Sequence, residues 1–236
     1  MLKISNLSVS IDGLSILDNI SLSLETNTST LLLGPNGCGK STLLQVLMGA
    51  SQYEISGQVF WHNQDITPLS IYERASLGLF LAFQDPVAIP GLSLLQLMKQ
   101  SRDSLGPKED SLEQFIETAY AQAARVGKTP EFLHRSLNVN CSGGERKLGE
   151  WLQMLAIRPK LCLIDELDSG LDIDTTSLVF KELNGLVNTK LIVTHSYAEQ
   201  LDVDQVIVLK EGRIYKQGDA TLLAYIRKYG YDAHFT

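Results

Sequence analysis

Cysteine is scarce in this sequence, and its spacing excludes two common roles. The three thiols, Cys38, Cys141 and Cys162, are far apart along 236 residues. They form neither an even disulfide set nor a C-x-x-C pair of metal ligands. We therefore expect no disulfide framework, and no metal ion or iron-sulfur cluster held by this chain alone.

Long hydrophobic runs are also missing. No apolar stretch approaches the roughly 18 to 20 residues that span a bilayer. Residues 1–6 lack the apolar region of a secretory signal. The sequence therefore predicts a cytoplasmic protein with no direct membrane insertion.

Basic residues are in the minority. Lys and Arg total 20 against 27 Asp and Glu, which gives a formal net charge of −7, and no run of Lys or Arg interrupts that balance. Nucleic-acid binding depends on clustered cations that neutralise phosphates, so we expect no nucleic acid partner. The apolar fraction of 44% is ordinary for a globular chain that buries a core.

Apolar patterns divide the chain into strands and helices. Segments 2–10 and 20–24 alternate apolar and polar residues, as half-buried strands do, and predict an antiparallel edge region. Fully apolar runs are typical of strands buried on both faces of a parallel sheet, and they occur at 30–33, 161–164 and 191–193. Further strands are predicted at 58–61 and 79–83, helices at 41–48, 69–77 and 176–186, a closing hairpin over 206–216 and a terminal helix at 220–228.

The stretch from 92 to 137 differs from the rest of the chain in its pattern of apolar residues. It is helical in pattern at 94–100 and 112–126, with breaks at Gly106-Pro107 and at 127–130. We interpret it as an inserted helical lobe in an α/β fold. The whole chain, 1–236, is then a single domain. Its catalytic core is formed by 1–83 and 141–236, and its helical subdomain by 92–140.

Residues 34–42 fit the phosphate-loop pattern G-x-x-x-x-G-K-[ST], between an apolar strand and a helix. The glycines let backbone N–H groups surround phosphate oxygens at the positive end of the helix, and Lys40 adds a charge near the β and γ phosphates. Ser41 should ligate Mg²⁺. In a plain glycine-rich turn, a lysine and a hydroxyl would have no reason to follow. The nucleotide-binding residues predicted here are Gly34, Pro35, Asn36, Gly37, Cys38, Gly39, Lys40, Ser41 and Thr42.

The second motif is a pair of acids, Asp165-Glu166, which directly follows the apolar strand at 161–164. Ligands of α/β sheets bind at the carboxyl ends of the strands, so both acids should face the phosphate loop. Asp165 would hold Mg²⁺, directly or through water, and Glu166 would orient or deprotonate the attacking water. Two acids after a strand are by themselves more often a solvated cap, but the phosphate loop reverses that preference.

The two motifs above predict only a P-loop NTPase, and residues 141–145, Cys-Ser-Gly-Gly-Glu, narrow that prediction to one family. With them the chain resembles the ATP-binding cassette (ABC) family, whose pattern continues here with Gln84, with Ser169-Gly170-Leu171-Asp172 and with His195, in that order. The resemblance implies an ABC-type P-loop NTPase with a RecA-like mixed sheet core, an antiparallel β edge region and an inserted helical lobe. It also implies an ATPase that uses ATP and Mg²⁺.

The family resemblance also assigns roles to residues. In ABC proteins the segment matching Ser142, Gly143 and Gly144 grips the γ-phosphate bound by the other subunit, so the ATP-bound state would be a homodimer. By the same resemblance, Gln84 contacts Mg²⁺ and the nucleophilic water, Asp172 lines the dimer seam and His195 bonds the γ-phosphate. Outside this pattern, a lone histidine after a strand would be interpreted as structural.

Within the family, the sequence most resembles SufC-type ATPases of the SUF iron-sulfur cluster assembly machinery. The likeness covers nearly the whole chain, and its most telling parts are 83–91, 151–154, 161–174 and 218–231. It implies SufB-type and SufD-type scaffold subunits as partners. The nucleotide-binding subunit of an ABC membrane transporter is the alternative, because it uses the same nucleotide site. A module that binds nucleotide without hydrolysing it is a third hypothesis.

Four positions depart from the ABC pattern or invite a separate hypothesis. Cys141 stands where Leu or Phe is usual, Leu148 where a basic residue is common, and Ile11 where many cassettes place an aromatic against adenine. We expect activity to survive Cys141, since backbone donors are unchanged. Cys38 lies among phosphate-binding N–H groups beside Lys40, so we hypothesise that its thiol ionises more readily than a free one; the alternative is a small loop residue.

Overall fold

A computed structural model of the chain describes residues 1–105, 111–194 and 198–231. Its strands are β1 (Leu2–Ile11), β2 (Leu14–Leu24), β3 (Ser29–Leu33), β4 (Glu54–Trp61), β5 (Gln64–Asp65), β6 (Leu79–Ala82), β7 (Ile89–Ser93), β8 (Ser136–Leu137), β9 (Leu161–Asp165), β10 (Thr189–Val193), β11 (Gln205–Lys210) and β12 (Arg213–Gly218). Its helices are α1 (Lys40–Met48), α2 (Ile71–Ser76), α3 (Leu94–Leu105), α4 (Leu112–Arg125), α5 (Pro130–His134), α6 (Gly143–Ile157), α7 (Ile173–Gly185) and α8 (Thr221–Tyr229).

The larger sheet has the strand order β12-β11-β3-β10-β9-β6. Strands β11, β3, β10, β9 and β6 run parallel, and β12 adds an antiparallel edge through a hairpin with β11. Every residue of β3, β9 and β10 is buried, as continuous apolar runs predict for strands covered on both faces. The carboxyl ends of β3, β9 and β6 therefore meet at one edge of the sheet.

Successive residues of the central strands belong to two different hydrophobic cores. In β3, Leu31 and Leu33 pack into one core, and Leu32 packs into the other. This follows from the alternation of side chains across a pleated strand. The first core lies under the inserted helices, and the second joins the sheet to α1 and to the antiparallel sheet β2-β1-β4-β5.

The inserted segment consists of helices that share the first core with α6. Their buried contacts come from α3, α4 and α5 and from the middle of α6, namely Leu94, Met98, Phe115, Ala119, Phe132, Leu133, Trp151 and Leu152. The short strands β7 and β8 pair at its base, with Ile89 opposite Leu137. The helical lobe is thus fixed to the core through the helix that begins at the Ser-Gly-Gly motif.

One buried cation ties the antiparallel region to the phosphate-loop helix. Arg74 of α2 is only 2% exposed, and its guanidinium donates to the carbonyls of Val46 (2.8 Å) and Leu47 (2.9 Å) at the carboxyl end of α1. It also donates to the carbonyls of Leu69 and Thr67. A positive charge at this end of a helix stabilises the helix dipole and satisfies its last carbonyls.

The predicted fold class, an α/β P-loop fold with a mixed sheet, an antiparallel edge and a helical lobe, is confirmed. Helix α3 extends five residues beyond the segment predicted at 94–100, to Leu105. Strands β5, β7 and β8 and helix α5 were not predicted, because none of them has a continuous apolar run or a periodic pattern: β5 and β8 are two residues long, β7 contains Pro90-Gly91, and α5 is one short turn that starts at Pro130. The predicted break at Gly106-Pro107 lies outside the described residues. The single-domain boundaries stay a prediction.

None of the helices within the described ranges combines the length and apolar content that crossing a bilayer requires.

Candidate functional site

The phosphate loop connects the buried strand β3 to α1 and folds around its own lysine. The Nζ atom of Lys40 donates to the carbonyls of Gly34 (2.8 Å) and Pro35 (3.0 Å). Gly37 and Gly39 have φ angles of 77° and 103°, in the left-handed region that glycine enters without steric cost. The loop therefore has the curvature that turns backbone N–H groups toward a central anion.

Two glycines of this loop have no space for a side chain. A Cβ added to Gly34 would lie 2.0 Å from the carbonyl oxygen of Leu209, and one added to Gly39 would lie 2.5 Å from Cδ2 of Leu17. The loop is thus pressed against β11 and β2 by its bare backbone. Glycine is needed at both positions for packing as well as for conformation.

An open cleft of about 380 Å³ lies over this loop. It is lined by Ile16, Asn36, Gly37, Gly39, Lys40, Ser41, Thr42, Gln84 and Glu166. Of the predicted loop residues, Gly34, Pro35 and Cys38 do not line it, and Gly34 and Cys38 are buried. Its apolar wall comes from Ile16 of β2 and not from Ile11, the position that the family pattern indicates. The expectation that Ile11 lies against adenine stays a prediction.

Asp165, at the end of β9, is only 2% exposed and does not line the cleft itself, but it contacts Ser41, which does. Burial is the main cause that raises the pKa of its carboxyl, and a hydrogen bond with the Ser41 side chain opposes that shift. Its Oδ1 atom has no hydrogen-bond partner among the described residues. A buried, unpaired carboxylate oxygen beside a hydroxyl is a donor set that suits Mg²⁺. The residues present fit the predicted metal.

Glu166 follows Asp165 with a φ of 51°, which is uncommon for a residue with a side chain and costs conformational energy. Its N–H donates to the carbonyl of Val193 (2.9 Å) on the next strand. Its Oε2 atom accepts a hydrogen bond from Nε2 of Gln84 at 3.0 Å. The turn brings Glu166 out of the strand direction and into the cleft, where Gln84 orients its carboxylate.

The Ser-Gly-Gly motif forms the amino end of α6. The Ser142 hydroxyl accepts from the N–H of Glu145 (3.2 Å), and the Glu145 carboxylate accepts from the N–H of Ser142 (3.1 Å), a capping box. Ser142 and Gly143 are exposed, and neither they nor Gly144 belong to the residues that line the cleft. The predicted γ-phosphate ligands thus lie apart from the phosphate loop of the same chain.

A close backbone contact joins this motif to the segment 169–172. A Cβ added to Gly144 would lie 2.5 Å from the carbonyl oxygen of Gly170. Asp172 caps α7, where its carboxylate accepts from the N–H of Thr175 (2.8 Å) and from its hydroxyl (2.9 Å). These bonds lower the pKa of Asp172. Its predicted place at a dimer seam stays a prediction.

The hypothesis of a reactive Cys38 is wrong. The thiol is buried, and desolvation raises its pKa more than the nearby Lys40 charge lowers it. The hypothesis takes account of the local positive charge but not of the burial of the loop's underside against β2 and β11. Cys38 is a small packing residue of the loop.

Three other sequence expectations have different outcomes. His195 lies outside the described residues. Leu148 is 4% exposed within the first hydrophobic core, so an apolar residue suits the position where a basic one is common. The thiol of Cys141 is within 3.6 Å of the carbonyl of Val139, and the backbone of the motif keeps its helical start despite the smaller side chain.

Residues 17–169 match the family model described as ABC transporter. A probable ABC transporter ATP-binding protein of Streptococcus pyogenes serotype M3 is 41% identical over 240 residues, covering 98% of this chain and 93% of that protein. A probable ATP-dependent transporter, ycf16, of Cyanidium caldarium is 39% identical over 242 residues, covering 98% and 95%.

Among solved structures, a dimeric ATP-binding cassette in a post-hydrolysis state, bound to ADP and Pi, superposes with a TM-score of 0.80 at 21% identity, covering 93% of this chain and 98% of the other. At that identity the likeness concerns the fold. The family match spans both the phosphate loop and the Asp165-Glu166 strand, which the structure brings to one sheet edge. The chain belongs to the ABC transporter family, as an ATP-binding and ATP-hydrolysing cassette.

Proposed function

We propose that two copies of this chain enclose ATP and Mg²⁺ between them, and that the closing and opening of this dimer drives conformational change in a SUF-type iron-sulfur assembly scaffold. The observation that supports a dimer is that the Ser-Gly-Gly motif lies apart from the phosphate loop within one chain. The cleft contains Lys40, Ser41 and Glu166, whereas Ser142 and Gly143 are exposed outside it. A second copy would bring the missing helix end to the γ-phosphate.

Binding of the triphosphate would begin at the phosphate loop. Lys40 now donates to two loop carbonyls, and phosphate oxygens would compete for this ammonium as stronger acceptors. The amino end of α1 adds its positive dipole to the same point. The left-handed Gly37 and Gly39 give the loop the curvature that a phosphate site needs.

Hydrolysis would depend on Glu166 and Gln84. Glu166 would accept a proton from the attacking water, and the Gln84 amide holds the carboxylate through the 3.0 Å hydrogen bond. Asp165, Ser41 and the amide oxygen of Gln84 would hold Mg²⁺. When bound, the metal neutralises charge on the phosphates and orients them. His195 stays a proposed γ-phosphate ligand.

A partner protein would dock in the apolar groove, defined as the 460 Å³ depression lined by Met48, Ile71, Ala75, Phe80, Phe83 and Ile157. Phe83 and Ile71 in this groove are about half exposed, at 49% and 50%. Large exposed apolar side chains around a concavity are typical of protein docking sites. The groove adjoins Gln84, so a docked partner would lie beside the ATPase site.

SufB-type and SufD-type scaffold subunits are the partners favoured by the resemblance to SufC-type chains, which is most telling at 83–91, 151–154, 161–174 and 218–231. The second candidate is a membrane transporter, and the names of the relatives favour it: both are called transporter proteins. Nucleotide chemistry is the same in the two cases. They differ only in the protein that occupies the apolar groove.

Dimer formation is tested with Glu166→Gln, which removes the proposed base and keeps the shape. With ATP and Mg²⁺ this variant should elute as a dimer in size-exclusion chromatography with light scattering, and release phosphate at least about 100-fold more slowly than wild type. Adding Ser142→Arg, which places a long cation at the seam, should return it to a monomer. A dimer that persists in the double variant would contradict the proposed interface.

The partner is tested by affinity capture of the whole chain from the native cell, with Phe83→Glu as the matched control. Recovery of soluble scaffold subunits by wild type, and their loss from Phe83→Glu, would support the SUF assignment. Recovery of a membrane permease would establish the transporter alternative instead. Capture unaffected by Phe83→Glu would exclude the apolar groove as the docking site.

A further inference from the structure

Lys147 and Glu150, one turn apart on α6, are ionisable side chains buried in the interior. Their exposed fractions are 3% and 6%. Burial lowers the pKa of Lys147 and raises that of Glu150 to about 8. Desolvating two such groups is costly, and apolar residues of similar volume often stabilise a core at least as well. Packing alone does not explain this pair.

The hydrogen bonds of Lys147 are directed at two particular peptides. Its Nζ atom donates to the carbonyl of Phe83 at 2.7 Å and to the carbonyl of Asp165 at 3.1 Å. These carbonyls belong to the peptide bonds that lead into Gln84 and Glu166. The ammonium therefore links the backbones of the two residues whose side chains meet in the cleft.

Glu150 completes the contact from the other side. Its carboxyl accepts a hydrogen bond from the N–H of Phe83, so both polar groups of the Phe83 backbone are bound by α6. Strands β6 and β9 stop pairing just before this point, at Ala82 opposite Ile164. Beyond that register the ladder no longer fixes Phe83 relative to Asp165, and the two α6 side chains do so instead.

We propose that Lys147 and Glu150 are positioning residues of the ATPase, which hold the peptides preceding Gln84 and Glu166 at the spacing that the side-chain pair needs for hydrolysis. The inference rests on the proposed roles of Gln84 and Glu166. It goes beyond them, because it assigns the alignment of the site to the helix that begins at Ser142. Movement of that helix would then reach the attacking-water site directly.

The test separates alignment from stability with a volume-matched apolar pair. Lys147→Met and Glu150→Leu should each lower the unfolding midpoint, because each leaves a buried polar group without its partner. The double variant Lys147→Met/Glu150→Leu removes both buried charges together, so its midpoint should fall by less than the sum of the two single shifts, although the Phe83 and Asp165 carbonyls still lose their donor. Its kcat should stay at least about 10-fold below wild type, while its ATP dissociation constant changes less than about twofold.

Hydrolysis at the wild-type rate by the folded double variant would overturn the proposal. A second comparison does not depend on that variant folding well. Glu150→Gln keeps an oxygen acceptor for the Phe83 N–H and should retain kcat within about threefold, whereas Glu150→Leu should not. Equal rates for these two variants would likewise overturn it.

Measuring Glu166→Gln in parallel distinguishes failure of the alignment inference from failure of the proposed function on which it rests. Wild-type hydrolysis by Glu166→Gln would remove the assigned base, and the alignment inference with it. Slow Glu166→Gln combined with a fully active Lys147→Met/Glu150→Leu chain would overturn the alignment inference alone.

Discussion

The side-chain amide nitrogen of Gln84 lies 3.0 Å from Oε2 of Glu166, although the two residues are 82 positions apart in the chain. They follow neighbouring parallel strands, β6 and β9, so the topology of the sheet brings them to one edge. Gln84 is exposed to the cleft. The proposed function gives this hydrogen bond the task of orienting the carboxylate that would accept a proton from the attacking water.

Gln84→Leu should lower kcat by about tenfold or more, because the Glu166 carboxylate loses the donor that orients it. The ATP dissociation constant should change less than about threefold, since Lys40 and the loop backbone remain. Phosphate release and equilibrium nucleotide binding measure the two quantities. Gln64→Leu, an exposed glutamine outside the cleft, is the control and should match wild type. An unchanged kcat in Gln84→Leu would exclude the orienting role.

Gly149→Ala should stabilise the chain by about 1 kcal/mol, because glycine in a helix interior is unfavourable relative to alanine. A Cβ there would meet Oδ1 of Asn138 at 3.7 Å and Cδ2 of Leu94 at 3.8 Å, which are ordinary contacts. Gly144→Ala on the same helix should destabilise by about 1 to 3 kcal/mol, since its Cβ would be 2.5 Å from the Gly170 carbonyl. Urea unfolding measures both changes. A loss of stability in Gly149→Ala would contradict the space seen beside this glycine.

Stability should fall as pH rises from about 4.5 to 8 through the contribution of Glu150. Burial raises its pKa from 4.5 to about 8 in the folded chain, so in this window the folded state binds more protons than the unfolded state. The contribution is fully present below about pH 4.5 and is lost as pH passes 8, with a limiting slope of about 1.4 kcal/mol per pH unit. Free energies of unfolding at several pH values should show a flatter profile for Glu150→Gln. Parallel profiles would contradict the shift.

Cys38 should react slowly with iodoacetamide at pH 7.5. Its pKa is raised and its thiol is buried, whereas Cys141 is partly exposed. Peptide mapping should find Cys141 modified first, and Cys38 at least about tenfold more slowly than in urea. Cys162, fully buried with its pKa raised to about 12, is the internal reference for an inert thiol. Modification of Cys38 as fast as Cys141 would contradict this account.

The sheet edge and its two motifs could be predicted because both depend on local patterns. Continuous apolar runs identify β3 and β9, and the phosphate loop and the acids follow them directly in sequence. Ser142 with Glu145 three residues later is also a local signal, of a capping box. Features of this kind can be predicted from sequence alone, because the residues that form them are close together in the chain.

Other parts depend on long-range packing and could not be predicted. Lys147 and Glu150 have the spacing of a solvated ion pair, and only the fold shows that they are buried beneath Phe83. The pairing of β7 with β8 joins distant residues, such as Ile89 and Leu137. The underside of the loop is closed by distant strands, which reverses the expectation for Cys38.

The carboxyl end of the phosphate-loop helix α1 is bound by a residue from a later part of the chain, Arg74. It lies 28 residues after Val46, whose carbonyl it binds, and it is held by the segment that follows the antiparallel sheet. During synthesis, α1 therefore emerges before the cation that neutralises its carboxyl end. The carbonyls of Val46 and Leu47 gain this partner only once α2 has been made and has packed against α1.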